Sequence, residues 1–364
     1  MSENQDILFE LRDGVARVTL NRPQALNAVT LEMLHALEER LIAWAEDEAV
    51  AAVVIGGEGR AFAAGGDIRH LYEAGRSGDP YTEQFFRDEY RVDRRIFHFP
   101  KPYVALINGV TMGGGVGLSV HGSHRVATEN TVFAMPETGI GFFPDVGGTY
   151  FLPRLPGRLG LYMALTGARL GGADCLYAGV ATHYVPSERL PALEAALRTL
   201  NLSGADIEAA HAAVTAAVER LSEDPLPAPV ERLRRDIDAC FAADSVERVI
   251  DNLRAEGSEW ALKTAETILA RSPTALKVAF EQVRRGASLD FDQALTLEFR
   301  MSQAFMRGHD FYEGVRAAII DKDQAPRWRP ARLEEVTAEM VAGHFAPLGD
   351  KELRFAADGA AGET

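Results

Sequence analysis

Ile7, Phe9 and Leu11 alternate with Leu8, Glu10 and Arg12, and after Asp13-Gly14 the alternation resumes with Ala16, Val18 and Leu20 against Arg17 and Thr19. A period of two broken by Asp-Gly predicts a β-hairpin. Thr30 precedes Leu34, Leu37, Leu41 and Trp44, whose helical spacing predicts a helix capped by the threonine hydroxyl. The unbroken apolar run at 51–55 predicts a strand buried on both faces, as in a parallel-type sheet with helical crossovers. The same pattern returns at 103–107, before a glycine-rich turn and helix, and at 131–135, before a loop and helix. Repeated ββα or βα units are therefore expected to about residue 185. Beyond Pro186 strand formers thin out and helices are expected to dominate. Pro225, Pro227 and Pro229 mark a loop, Asp244 with Glu247 predicts a capping box, and Ser272-Pro273 predicts a break before a helix over 274–285. Further helices are expected over 291–306 and 310–320, and the small, polar stretch 356–364 reads as a disordered tail. The pattern divides the chain into an α/β core over 1–200 and a helical region over 201–355.

With 364 residues and 39.6 kDa the chain exceeds the ~150-residue norm for one domain, so a large α/β domain or a core with a second lobe is expected. The 47% apolar and 25% charged residues exclude a disordered or coiled-coil chain. Thirty-eight basic against fifty-three acidic residues give a net charge of -15, which repels a nucleic-acid backbone. An anionic group such as coenzyme A is still compatible, because a few local cations and helix N-termini can hold it. Cys175 and Cys240, without a CxxC, build neither a disulfide framework nor a cysteine zinc site. The charge-free span 102–124 contains six glycines and an asparagine, against a membrane helix. The polar, acidic N-terminus shows no secretory pattern, and a cytoplasmic location is the expectation.

Chemistry concentrates in three stretches. Gly113-Gly114-Gly115-Val116-Gly117 follows a buried strand and opens a helix, where backbone N–H groups can approach a ligand closely. It is not a dinucleotide fingerprint, since Leu118 and Val120 stand where glycine is required, and no Walker lysine follows. Ala64-Gly65-Gly66-Asp67 supplies a second free N–H at a second helix start, with Asp67 as its N-cap. Two such donors converging on one oxygen form an oxyanion hole for a thioester carbonyl. Glu137 and Asp145, eight residues apart in an apolar, Gly/Pro-rich loop, would have pKa values raised by desolvation and suited to acid/base work. Taken alone, the pair has a plainer explanation, Asp145 capping the next helix and Glu137 lying exposed. His121 and His124 have metal-ligand spacing but no third ligand, and His183 and His309 are candidates to pack against the site. Arg154, Arg158 and Arg169 are candidates for coenzyme A phosphates or for solvated helix faces. No Gly-x-Ser-x-Gly elbow points to a serine thioesterase.

The arrangement of Asn21-Arg22-Pro23 to Asn27-Ala28, Ala64-Gly65-Gly66-Asp67-Ile68, Asn108-Gly109 to Gly113-Gly114-Gly115, and Pro136-Glu137 to Gly147-Gly148 resembles the crotonase (enoyl-CoA hydratase/isomerase) superfamily. Within it, the sequence is most similar to the 3-hydroxyisobutyryl-CoA hydrolase family, a likeness that extends through Met306-Arg307-Gly308-His309-Asp310-Phe311 and Glu313-Gly314-Val315-Arg316. The resemblance implies a spiral of ββα turns with C-terminal helices covering the site. It implies backbone donors at Gly66 and Gly114, the shared catalytic glutamate at Glu137, the hydrolase aspartate at Asp145 and a substrate-contacting glutamate at Glu89. Gly117 stands where hydratases carry a second glutamate. The implied reaction is hydrolysis of 3-hydroxyisobutyryl-CoA, as in valine catabolism, with Glu137 as nucleophile or general base and Asp145 on the substrate hydroxyl or the water. No cofactor is implied beyond the coenzyme A of the substrate, and no metal. The resemblance also implies trimers or hexamers, although a longer C-terminal half can cover the same surfaces within a monomer. The alternatives are a hydratase or isomerase, or a non-catalytic acyl-CoA-binding subunit.

Overall fold

The computed structural model describes residues 5–200, 202, 206–225 and 227–355. The hairpin forms as expected, β1 (Ile7–Arg12) pairing antiparallel with β2 (Val15–Leu20) so that Arg12 faces Val15. Asp13 and Gly14 both take positive φ (50° and 81°), which matches the twist of the strands they join. The Thr30 side chain accepts the Met33 N–H and opens α1 (Leu31–Glu46), whose Leu34, Leu37, Leu41 and Trp44 are buried.

From here the chain alternates between two sheets. Strands β3 (Ala52–Gly57), β5 (Tyr103–Ile107), β7 (His124–Ala127) and β9 (His183–Tyr184) extend the hairpin into a six-stranded sheet ordered β1-β2-β3-β5-β7-β9, parallel from β2 onward. Strands β4 (Ala61–Ala64), β6 (Val110–Met112) and β8 (Val132–Ala134) form a smaller parallel sheet. Helices α2 (Ile68–Ser77) and α3 (Tyr81–Phe97) follow β4, and α4 (Gly114–Val120) follows β6. After β8 come 3-10 turns at Glu137–Ile140 and Leu152–Arg154 and the short helices α5 (Gly148–Phe151), α6 (Leu159–Thr166) and α7 (Gly172–Tyr177). Each circuit therefore lays one strand in each sheet and ends on helix or turn, and the C-terminal ends of the small sheet's strands feed the candidate site.

The second half is helical: α8 (Leu190–Arg198), α9 (Ile207–Glu219), α10 (Pro229–Phe241), α11 (Val246–Glu256), α12 (Glu259–Leu269), α13 (Pro273–Gly286), α14 (Phe291–Arg307), α15 (Asp310–Val315) and α16 (Ala338–Gly343). Two expectations shift. The cap of α11 is Ser245, which accepts the Arg248 N–H, and not Asp244. The helix expected over 310–320 is α15 followed by a wider turn at Arg316–Ile320. The tail expected over 356–364 lies outside the described residues.

Helices α8 and α9 cover the outer face of the large sheet, where Leu193, Leu197, Val214 and Val218 pack on Val54, Val104 and Val126. Helices α10 to α15 join the core of the first half, since one buried cluster runs from Ile7 and Leu34 through Phe133 and Phe143 to Phe299 and Phe311.

Candidate active site

Two glycine segments meet at the C-terminal ends of β4 and β6. The Val29 N–H bonds to the Gly65 oxygen (2.9 Å) and the Asp67 N–H bonds to the Val29 oxygen (2.9 Å), so the neighbours of Gly66 face Val29 and the N–H of Gly66 itself faces the opposite way. Gly114 opens α4 behind Gly113, whose φ of 47° and ψ of -126° exclude a side chain, and a first-turn N–H has no acceptor within its own helix. A Cβ placed on Gly114 would lie 3.4 Å from the Gly66 nitrogen and 2.5 Å from Oε1 of Glu89. The donor segments are thus adjacent, and Glu89 stands against them. Asp67 caps α2 through the His70 N–H (3.3 Å) and pairs with Arg22 (3.2 Å).

Gly66, Gly114, Glu89, Glu137 and Asp145 all line one cavity of about 100 Å³, walled by Leu71, Phe85, Phe142 and Phe311, among others. Glu137 heads the turn after β8 and is only 5% exposed, with its Oε2 buried and unpartnered. Asp145 is also 5% exposed and does not cap α5, whose N-cap is Gly147; its Oδ2 accepts the Tyr90 hydroxyl (3.0 Å). The plainer explanation of the pair therefore fails on both counts.

Burial drives the electrostatics. It pushes Glu137 well above the carboxylate range, Asp145 adds to the rise, and the Arg271 guanidinium opposes it. Burial pushes Asp145 up to about 7 against the pull of the Tyr90 hydroxyl. Glu89 is raised by burial and then by Asp145, Asp93 and Glu298. These are carboxyls whose charge is costly, set beside two free N–H donors.

Four contributors escaped the sequence reading: Tyr90, Asp93, Arg271 and Glu298. Asp93 lies one helical turn beyond Glu89 on α3, 1% exposed, with both oxygens unpartnered. A Cβ on Gly117 would lie 2.3 Å from its Oδ1. A signal was present, because Phe85, Glu89, Val92, Asp93 and Ile96 share one helical face, so these acids sit within the apolar stripe. Glu298 carries the same mark on α14, where it shares a face with Phe291, Leu295, Met301 and Phe305, whereas Arg271 carries none.

Other candidates lie elsewhere. His121 donates to the Val146 oxygen (2.7 Å), whereas His124 stacks between His183 and His211 at about 6 Å, so the two do not share a ligand position. His309 bonds to Asp310 (3.1 Å). Neither His183 nor His309 lines the cavity. Arg154 donates to the oxygens of Tyr150, Gly286 and Leu289. Arg158 meets Asp238 through its backbone N–H, and Arg169 is exposed. None of the three arginines lines the cavity. Among the described residues no group of three or more His, Cys, Asp or Glu is arranged to hold a metal ion.

Comparison with known proteins gives consistent likenesses. The family described as Enoyl-CoA hydratase/isomerase matches residues 15–345. The chain is 49% identical over 355 residues to "3-hydroxyisobutyryl-CoA hydrolase, mitochondrial" of Gallus gallus, covering 96% of this chain and 91% of that one. It is 50% identical over 344 residues to the protein of the same name from Xenopus tropicalis, covering 93% and 88%. A solved carnitinyl-CoA dehydratase from Mycobacterium thermoresistibile superposes with a TM-score of 0.91 at 42% identity, covering 98% of this chain and 100% of that one.

Proposed function

The chain belongs to the enoyl-CoA hydratase/isomerase family, and from that premise we propose that it hydrolyses the thioester of 3-hydroxyisobutyryl-CoA, releasing the free hydroxy acid and coenzyme A. The observation that carries the reading is the pairing of Glu137 and Asp145 in one buried cavity with the Gly66 and Gly114 segments. The relatives named above as hydrolases support it.

In this mechanism the thioester oxygen sits between the N–H groups of Gly66 and Gly114, which stabilise the charge it gains when the carbonyl carbon is attacked. Glu137 delivers the attack, through its own oxygen to give an acyl-enzyme anhydride or through a water it deprotonates. The carbon–sulfur bond breaks, the thiolate takes up a proton, and water contributes the new oxygen of the acid. Asp145 takes the substrate β-hydroxyl, and Glu89 contacts the acyl group beside the donors. Coenzyme A enters only as part of the substrate. The division into a core over 1–200 and a helical region over 201–355 covering the site belongs to the same proposal.

The solved neighbour is named a dehydratase. Adding or removing water across a double bond calls for a second carboxylate in the cavity after the triple glycine. Here that position is Gly117, and Asp93, pressed against it, does not line the cavity. A thiol-release assay over a panel of acyl-CoAs tests the reading, with 3-hydroxyisobutyryl-CoA expected among the fastest. Turnover of no β-hydroxyacyl-CoA, or loss of crotonyl-CoA ultraviolet absorbance at a rate comparable to thiol release, would overturn it.

Among the described residues no helix is long and apolar enough to cross a membrane. The cytoplasmic location stays a proposal, while the relatives' names place them in mitochondria; fractionation of the source cells separates the two. The trimer or hexamer is likewise a proposal. Because α8 and α9 cover the outer sheet face within the chain, light scattering at the mass of one protomer would replace it with a monomer.

A further inference from the structure

The turn that carries Asp145 is held by side chains from distant parts of the chain. The Pro144 oxygen accepts from Gln282 Nε2 (2.6 Å) and the Val146 oxygen from His121 (2.7 Å), while Tyr90 donates to the Asp145 carboxylate itself (3.0 Å). Glu298 accepts the N–H groups of Gly147 (2.8 Å) and Thr149 (2.7 Å), one on each carboxylate oxygen. Gln282 also donates to the Thr149 hydroxyl (2.9 Å).

The turn needs holding. Val146 has φ 50°, a left-handed conformation that a β-branched residue adopts only under constraint, and Gly147 follows at φ 84°. Left alone, the 146–147 peptide would rotate towards ordinary backbone and carry Asp145 with it. Glu298 and Gln282 are both 0% exposed. An apolar residue at 298 would leave the buried N–H groups of Gly147 and Thr149 without an acceptor. Bonded to two N–H groups of one turn, one on each oxygen, the Glu298 side chain fixes the geometry of that turn.

We propose that Glu298 on α14 and Gln282 on α13 are positioning residues that fix Asp145 for recognition of the substrate β-hydroxyl. The proposal rests on the hydrolase reading above. It gives the C-terminal helices a part in specificity, which they exercise without touching substrate.

The test compares kcat/KM for 3-hydroxyisobutyryl-CoA with kcat/KM for isobutyryl-CoA in the parent, Asp145→Gly, Glu298→Gln and Gln282→Met, with melting temperatures alongside. A glutamine at 298 offers one acceptor where the turn presents two donors, and a methionine at 282 removes the donor to Pro144. The parent should prefer the hydroxylated substrate. That preference should fall about tenfold in Glu298→Gln and Gln282→Met, since a misplacement of about 1 Å costs up to ~10²-fold, while isobutyryl-CoA turnover stays within about threefold of the parent. Should Glu298→Gln not fold, Gln282→Met decides. A parental ratio in the folded variants, whether or not the melting temperature drops, overturns the positioning role and leaves the hydrolase reading intact, provided Asp145→Gly loses the preference. A parental ratio in Asp145→Gly removes the hydroxyl contact and this proposal with it.

Discussion

Glu137 is the residue on which the chemistry turns, and its surroundings make a direct prediction. Its carboxyl is buried, raised in pKa and unpartnered at Oε2, so nothing but the substrate or a water competes for that oxygen. Glu137→Gln keeps the shape of the side chain but removes both nucleophilicity and basicity. Thiol release should slow by about 10²-fold or more with KM little changed, as expected for a group that acts mainly in the transition state. A loss of less than about tenfold in steady-state kcat would assign the attack to another group. Glu137 and Asp145 were legible because two acids in an apolar Gly/Pro-rich loop are anomalous wherever the loop lies. Glu89 was legible only through family likeness, and Asp93 was overlooked, because α3 carries many charges and which of them face inward depends on where its apolar stripe lies.

Burial sets the Glu137 pKa first, and a helix junction tempers it. Arg271 follows α12, where its guanidinium donates to the Thr166 oxygen (2.8 Å), and the next residue, Ser272, donates its N–H to the Thr138 oxygen (3.2 Å) and caps α13. The junction is thereby docked on the turn that Glu137 heads. The positive charge of Arg271 opposes the rise in the Glu137 pKa, so removing it must raise that pKa further. The attack needs the carboxylate, hence Arg271→Met should move the acid limb of the kcat/KM profile to higher pH while leaving the rate on the alkaline plateau nearly unchanged. An acid limb in the parental place would show that Arg271 acts only as packing. Strand and helix positions were readable from periodicity at the hairpin, at α1 and at 103–107, since each period reports a buried face. What the period does not report is the partner. Arg271 lies 134 positions from Glu137, and Glu298 meets a turn 151 residues away, so these contacts became visible only with the fold.

Over the whole molecule, a set of carboxyls is buried without cationic partners to match, and this sets how stability responds to pH. Burial raises Asp145 to about 7 and Glu298 to about 8, and holds Glu89, Asp93 and Glu137 well above the ordinary range. In the unfolded chain these groups ionise near pH 4. Between about pH 4 and pH 7–8 the folded state therefore binds more protons than the unfolded one, and stability must fall as pH rises through that window, by about 1.4 kcal/mol per pH unit for each proton of difference. His121 and His124, held near 4 by burial, act in the opposite sense, but only below the unfolded histidine pKa of about 6.5. The histidines leave the balance above about pH 7.5, so the interval from about pH 7.5 to 8.5 reports the acids, with the buried Cys175 thiol, also raised by burial, adding in the same sense. The melting temperature should drop across it by several degrees. Asp93→Asn offers the cleanest comparison, since Asp93 has neither a hydrogen-bond partner nor a place in the cavity lining, and the amide keeps its shape against Gly117. Unfolding releases the Asp93 proton in the parent and nothing in the variant, so the variant's melting temperature should gain on the parent's as pH rises. Parallel curves for the two proteins would mean that Asp93 is already ionised in the folded protein across the interval, and a flat parental curve would mean that the whole cluster is.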